Sequence, residues 1–297
     1  MKKTLEYKIF NVVACVFTTL FALFCLLPMV LTLVASFATD VELAEKGITL
    51  ILENPTLAAY RSILNDGGKL ARAYAVTIGV TVIGTVLGVY LTTMTSYVLY
   101  RRDFPARGFF AFFFYFTTLF SGGLVGNYFV RTRLGLRDTY AVLILSGLVS
   151  NFYIIMCRSY MTSNVTQSLV EAAKIDGAGE YRTFFQITLP LLKPSMAAVG
   201  FMMATAYWND WQNALLYISS DNKKPLQLLL VNIQKSIEFL LNNSNVPAAA
   251  RAAMGGNIPQ YSATMATVVA VIAPIMVVYP FFQKYFVKGL TVGSVKG

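Results

Sequence analysis

The densest binding chemistry in the chain is a run of seven residues, Tyr207-Trp208-Asn209-Asp210-Trp211-Gln212-Asn213. A carboxylate, amides and aromatic rings together suit a solute covered in hydroxyls. The polar groups take the hydroxyls, and an indole takes the apolar C–H face of a sugar ring. On a regular helix Asn209, Asp210, Gln212 and Asn213 would cover an arc of about 160°, with Trp208 and Trp211 on the opposite side. A carboxylate inside a bilayer costs on the order of 2.5–3.5 kcal/mol, so Asp210 must face protein or water rather than lipid. Tyr207, Trp208, Asn209, Asp210, Trp211 and Asn213 are therefore the candidate lining of a solute path. A second reading stays open. Counted at about 1.5 Å per residue from Ser195, Asn209 lies about 21 Å into a core of about 30 Å. Tryptophans at that depth also populate the interfacial aromatic belt.

Residues that drive covalent chemistry are missing or scattered. The chain has no histidine, which removes the commonest general base and zinc ligand. Cys15, Cys25 and Cys157 lie inside apolar runs without metal-type spacing and read as small buried hydrophobes. No acid pair or metal cluster stands out, so neither catalytic nor metal-binding residues are expected, and an intramembrane enzyme is disfavoured. A Gly-x-x-x-x-Gly-Lys-Ser/Thr phosphate loop is absent, so the chain cannot supply a nucleotide site of that type.

The elements that must position the seven-residue run are long apolar segments. Of the 297 residues, 56% are hydrophobic and 13% charged, about half the charge of an ordinary soluble domain. Runs near 20 apolar residues match a hydrocarbon slab of about 30 Å. Six candidate spans follow: 10–37, 74–98, 108–128, 139–158, 195–218 and 263–283. The net charge of +10 is spread between these runs rather than gathered with stacking aromatics. It points to a membrane surface and away from nucleic acid. The first span reads as an uncleaved anchor, because its apolar stretch is too long for a signal-peptide core. Arg101, Arg102 and Arg107 place the link between spans two and three in the cytoplasm, with both termini on the same side. Arg131, Arg133 and Arg137 dissent, since that topology puts them outside. The outward gaps at 38–73 and 219–262 are long and polar, and could meet an extracytoplasmic partner or simply connect spans. Span two carries Gly84, Gly88, Thr92 and Ser96 at every fourth position. Such a stripe lets helices approach closely, either within the subunit or between subunits.

One segment is too polar to cross a membrane and too patterned to be disordered. It runs over about 163–194, between spans four and five. Ser168 with Glu171 three residues on has the capping-box form, which predicts a helix starting at Ser168. Glu171, Ala172, Ala173 and Lys174 favour helix, and Gly177 after Asp176 predicts a left-handed turn that ends it. A second amphipathic run over Tyr181, Phe184, Phe185, Ile187 and Leu189 is expected to stop at Pro190 and Pro194. The expectation is a helix–turn–helix outside the membrane with its alanines on one side.

Glu171-Ala172-Ala173, Asp176-Gly177-Ala178, Ile187, Leu189-Pro190 and Pro194 resemble the cytoplasmic signature loop of binding-protein-dependent ABC importer permeases. The C-terminal stretch Gln283 to Gly297 is similar to the tail of the carbohydrate permeases of the maltose-importer type. The six-span layout resembles the oligo- and polysaccharide subgroup over nearly the whole chain. The resemblance implies an all-α polytopic membrane protein with six transmembrane helices, a single type I permease domain over 1–297. It implies that Glu171, Ala172, Ala173, Asp176, Gly177, Ala178, Leu189 and Pro190 sit at a contact with an ATPase, and that the tail from Gly289 reaches toward it. The implied partners are a homologous second permease, two ATPase subunits that bind ATP and magnesium, and an extracytoplasmic solute-binding protein. The implied cargo is carbohydrate, an oligosaccharide above a monosaccharide, and the implied place is a bacterial cytoplasmic membrane. An amino-acid or peptide importer shares the signature loop. An ion-coupled transporter would need several intramembrane ionisable groups and often an inverted repeat; Asp210 alone qualifies, and no repeat is visible.

Overall fold

The computed structural model describes residues 5–65, 67–242 and 261–291. Every regular element among them is helical. Three helices are long and apolar enough to cross a bilayer: α1 (Leu5–Ala35), α4 (Lys69–Tyr100) and α15 (Tyr261–Thr291). Three more spans are bent pairs. α5 (Arg107–Leu119) and α6 (Gly123–Arg133) turn by 117°, and α7 (Tyr140–Ser146) and α8 (Asn151–Asn164) by 47°. The third pair is residues 180–191 with α12 (Lys193–Trp208), bent by 78° at Leu192. Counting each bent pair once gives six spans; the expected runs 108–128 and 139–158 are bent, and the expected run 195–218 is cut at Asn209.

Each break has a local cause. Between α5 and α6, Gly123 takes φ +70 and its N–H donates to Ser121 Oγ; only glycine adopts that backbone freely. Between α7 and α8, Gly147 lies against the Tyr207 ring, where an added Cβ would sit 3.0 Å from it. The last expected span stops at Asn209. There Asp210 becomes the N-cap of a new helix, α13 (Trp211–Tyr217), accepting from the Asn213 N–H. The arc of about 160° drawn for an unbroken helix does not exist.

The described residues fall into two compact units. The first lies within Met1–Leu70 and Leu230–Ala273. It holds α1, α2 (Asp40–Lys46), α3 (Ala58–Leu64) and most of α14 (Leu226–Asn242). The gap expected at 38–73 therefore carries two short helices, and α4 begins inside it at Lys69. Asp40 accepts from the Tyr261 and Ser262 N–H groups, capping α15 with a carboxylate where the helix dipole favours one. Cys15 and Cys25 are exposed on α1 rather than buried; Cys157, in the other unit, is buried. In the second outward gap, Asn243, Asn245, Pro247, Gly255 and Gly256 lie outside the described residues, as do 292–297 of the tail.

The second unit lies within Ala71–Leu229 and Pro274–Gly297, and α4 is its axis. Added Cβ atoms at Gly84 and Gly88 would overlap Tyr207 and Met203 of α12. Gly200 of α12 faces Val89 and Thr85 at ordinary contact distance. The small-residue stripe of span two thus packs inside the subunit. Near its end the Ser96 hydroxyl donates to the Ile154 carbonyl of α8, and near its start Thr77 accepts the Leu226 N–H. In lipid, where apolar surface gains little by leaving its solvent, such close approach supplies the dispersion that holds helices together.

Replacing Gly84 by valine should lower the thermal midpoint of the purified chain, since overpacking costs about 1–3 kcal/mol. Gly79→Val is the control, because an added Cβ there meets nothing within 4 Å. Equal midpoints for the two variants would show that α4 and α12 separate freely.

Candidate functional site

The polar segment between the fourth and fifth spans folds as two short helices. α9 (Gln167–Ile175) has Thr166 at its N-cap with no side-chain cap bond, so the expected start at Ser168 is corrected: Ser168 lies inside the helix. The expected end is found. Gly177 takes φ +79 and donates to Lys174 O, while Ala178 N–H donates to Ala173 O. Those two bonds make the Schellman closure that satisfies the last carbonyls of the helix. α9 buries Val170 and Ala173 and exposes Glu171, Ala172 and Ile175, the last at 86%. The alanines therefore do not share a face. Asp176 and Gly177 are exposed at the turn and Ala178 is half-buried.

The second helix begins as α10 (Glu180–Arg182), passes through a π-helical stretch (Thr183–Thr188) and ends as α11 (Leu189–Leu191). Leu189 is half-buried and Pro190 exposed. Neither proline stops the chain where expected. The wider π winding, with Leu189 N–H reaching back to Phe184 O, carries the helix past Pro190, which has no N–H to give. Pro194 opens α12, a position where the missing donor costs nothing. Tyr181 is 78% exposed and, with Ile175, gives the segment an apolar outer face. Phe184 points inward against Tyr97, with ring centroids 5.1 Å apart.

A buried guanidinium ties this segment to α4. Arg101 sits one residue beyond α4 with its side chain 7% exposed. Its Nη2 and Nε donate to the two Asp103 oxygens at 2.6 and 2.8 Å. Nη1 and Nη2 donate to Glu180 at 2.8 and 2.9 Å, and Nη1 also reaches Tyr97 Oη at 2.8 Å. Lys174 of α9 completes the network with Asp103 and Glu180. Arg101 and then Lys174 hold the Asp103 carboxyl well below the usual carboxylate range. Arg101 is thus consumed locally and is not simply a loop charge; Arg102 stays exposed.

The seven-residue run lies at the other end of α12, where it lines a cleft of about 320 Å³ with Asn209, Asp210, Trp211, Gln212 and Asn213 on one wall. Tyr153 of α8 and Met203 of α12 complete it. A second cleft of about 630 Å³ shares Tyr153, Ala206 and Asn209 and adds Phe201, Thr205 and Tyr279. Both volumes fall in the range of about 300–1,000 Å³ common for small-molecule sites. Trp211 is 40% exposed, whereas Trp208 is buried and lines neither cleft. Tyr207 lines the smaller cleft, and its hydroxyl donates to the Ile144 carbonyl at 2.7 Å.

Asp210 is held by its neighbours. Its two oxygens accept from the Asn213 backbone N–H and side-chain amide at 3.1 and 2.9 Å. Asn213 Oδ1 accepts from Arg131 at 2.9 Å, and the Arg131 guanidinium lies 5.2 Å over the Tyr217 ring. The arginine that disagreed with the topology is therefore tied to Asn213, whose amide also holds Asp210. Tyr153, Phe201 and Tyr279 were not singled out in the sequence. Each is one aromatic residue in an apolar run, a pattern that carries no local signal.

These elements define a membrane-embedded transport subunit: six helical spans, a solute-sized cleft, and a structured polar segment that exposes Ile175 and Tyr181. Residues 7–292 match the family of binding-protein-dependent transport system inner membrane components, and the chain belongs to that family. It is 36% identical to the polygalacturonan/rhamnogalacturonan transport system permease protein YtcP of Bacillus subtilis, over 99% of this chain and all of that one. It is 30% identical to the arabinooligosaccharides transport system permease protein AraQ of Halalkalibacterium halodurans, over 93% of each. Among solved structures it resembles a bacterial ABC transporter involved in the import of the acidic polysaccharide alginate, with a TM-score of 0.79. That likeness has 27% identity and covers 95% of this chain and 98% of the other.

Beyond the cleft, Asp138 forms a knot that fixes α13 from its far end. It is a non-glycine residue at φ 56. Its carboxylate accepts from the Ser219 and Ser220 N–H groups at 3.0 Å, from the Ser220 hydroxyl and from Lys223 at 3.1 Å. The Ser220 hydroxyl, the backbone N–H groups and Lys223 hold the Asp138 carboxyl far below its usual range. A depressed carboxylate stabilises the fold above its unfolded value of about 3.9, and that contribution is lost as pH falls through the folded value. Asp138→Asn keeps a side chain that tolerates the left-handed backbone but removes the charge. Its thermal midpoint should lie below that of the unaltered chain at neutral pH, with the gap closing under acid conditions below about pH 4. A gap independent of pH would assign the effect to backbone geometry alone.

Proposed function

We propose that this chain is the permease subunit of an ATP-driven, binding-protein-dependent importer of an oligosaccharide. It pairs with a homologous second permease and two ATPase subunits, which bind the ATP and magnesium. It takes cargo from an extracytoplasmic solute-binding protein. It spans a bacterial cytoplasmic membrane with both termini and the segment 163–194 in the cytoplasm. The observation that carries the reading is the α9–α10 segment. It is folded and stapled to α4 by Arg101, yet turns Ile175 and Tyr181 outward at 86% and 78% exposure. An apolar face on a rigid element outside the bilayer needs a protein to cover it.

In this role Glu171, Ala172, Asp176 and Gly177 lie on the docking surface beside Ile175 and Tyr181. Ala173 supports it from beneath, and Ala178, Leu189 and Pro190 set the return toward α12. Closure of the ATPases on nucleotide draws the coupling segments of the two permeases together and favours an outward-facing cavity. The loaded binding protein biases the same two-state equilibrium from the other side. The chain itself makes and breaks no covalent bond. The oligosaccharide cargo is supported by the cleft, where Asn209, Gln212 and Tyr153 offer polar groups and Trp211 a stacking face. It is supported equally by the saccharide names of the relatives.

The double substitution Ile175→Asp with Tyr181→Asp should abolish co-purification of an ATPase while leaving the permease folded. Retained co-purification would sink the coupling assignment. Gly177→Ala meets no atom with its new Cβ, so it reports backbone strain alone, about 1–2 kcal/mol in a left-handed position. Transport should fall with it, and full transport would contradict the turn's role. Trp211→Ala should raise the apparent KM for oligosaccharide uptake about tenfold, the loss of roughly 1.4 kcal/mol of stacking; an unchanged KM would return Trp211 to the interfacial belt.

A further inference from the structure

We propose that Arg101 is the positioning residue that makes the coupling segment and α4 move as one body, so that motion at the ATPase contact reaches the cleft through α4. The inference rests on the coupling role given above to α9 and α10.

The guanidinium is placed for this task. It is almost wholly buried, and its nitrogens are shared between Asp103, Tyr97 and Glu180. Tyr97 belongs to α4 and Glu180 to α10, and Tyr97 Oη itself donates to Glu180 at 3.3 Å. Lys174 brings α9 into the same cluster through Asp103 and Glu180. The end of α4 and the start of α10 therefore converge on one planar cation, and the end of α9 joins them through Lys174. A guanidinium has the fork of donors to hold such a junction, and an ammonium, a point charge on a flexible stem, does not. A ring contact of Phe184 with Tyr97 and a hydrogen bond from Tyr100 Oη to Val165 O at 2.6 Å back the junction.

From this junction α4 runs without a break to the cleft. It contains no proline and no described interruption between Lys69 and Tyr100. At about 1.5 Å per residue, Gly88 and Gly84 lie about 20 and 26 Å from Arg101. There α4 touches Met203 and Tyr207 so closely that no Cβ would fit, and both of those side chains line the smaller cleft. A displacement of α10 that drags Arg101 must push α4 against the cleft wall. If the junction is loosened, the docking face can move alone.

The test uses the whole importer in lipid nanodiscs, with permease pair, ATPase subunits and binding protein, comparing the unaltered chain with Arg101→Lys, Glu180→Gln and the double variant. Three quantities are read: ATPase retained on purification, stimulation of ATP hydrolysis by the loaded binding protein, and solute moved per ATP. We expect full retention of the ATPase, because Ile175 and Tyr181 are untouched. Stimulation and solute per ATP should fall about tenfold, within the roughly 5- to 150-fold span of ordinary coupling between sites. The double variant should be no worse than Arg101→Lys, since both changes open the same junction. If Arg101→Lys does not fold, Glu180→Gln carries the test, as its carboxylate is half exposed. Variants that couple as well as the unaltered chain would overturn the inference alone. So would a loss of transport that merely follows a loss of bound ATPase, for then Arg101 would serve only to fold the docking face. An unaltered chain that retains no ATPase would overturn the coupling role and this inference with it.

Discussion

The contact on which this structure depends is the close approach of α4 and α12. Lipid does not reward apolar side chains for leaving it, so two helices in a bilayer hold together by fitting closely and by the few hydrogen bonds they share. Gly84 and Gly88 of α4 remove the atoms that would collide with Tyr207 and Met203 of α12. Tyr207 and Met203 fill the space so created. The same two side chains reach the cleft, so the surface that solute would touch is the far side of the surface that holds the helices together.

A second constraint explains why three spans are bent. Helices satisfy their own backbone groups, and a break inside a membrane needs local partners for those it frees. Two breaks supply them here: Ser121 accepts the Gly123 N–H, and Asp210 caps α13. At the second of these, Asn209 and Asp210 also line the smaller cleft.

Much of this was legible in the chain. The six spans, the turn at Gly177 and the polar segment before the fifth span follow from hydropathy and from a residue that readily adopts a left-handed backbone. The resemblance carried by Glu171 to Pro194 pointed to the family. What could not be read has a physical pattern. An apolar run looks continuous even where tertiary contacts bend it, so the break at Asn209 was hidden, and with it the role of Asp210 as a cap. Ser168 matched a capping pattern that Thr166 pre-empted. Arg131 and Arg101 were counted as loop charges because their partners, Asn213 and Glu180, lie about 80 residues away in sequence. Long-range pairing leaves no mark in a local window. Tyr153 and Tyr279 were silent for the same reason.

The π-helical stretch from Thr183 to Thr188 has a consequence for how this family of sequences can vary. A helix records, in its count of residues, the angle between what it presents at one end and what it joins at the other. The wider winding stores an odd residue without a bulging loop. Deleting one position there would turn α10 relative to α12 by about 100°, pointing Tyr181 away from the side that Ile175 occupies. The length of the chain between Gly177 and Pro194 is thus itself a message. The side chains in it can drift, but their number works as a clock hand that fixes the direction in which Tyr181 points.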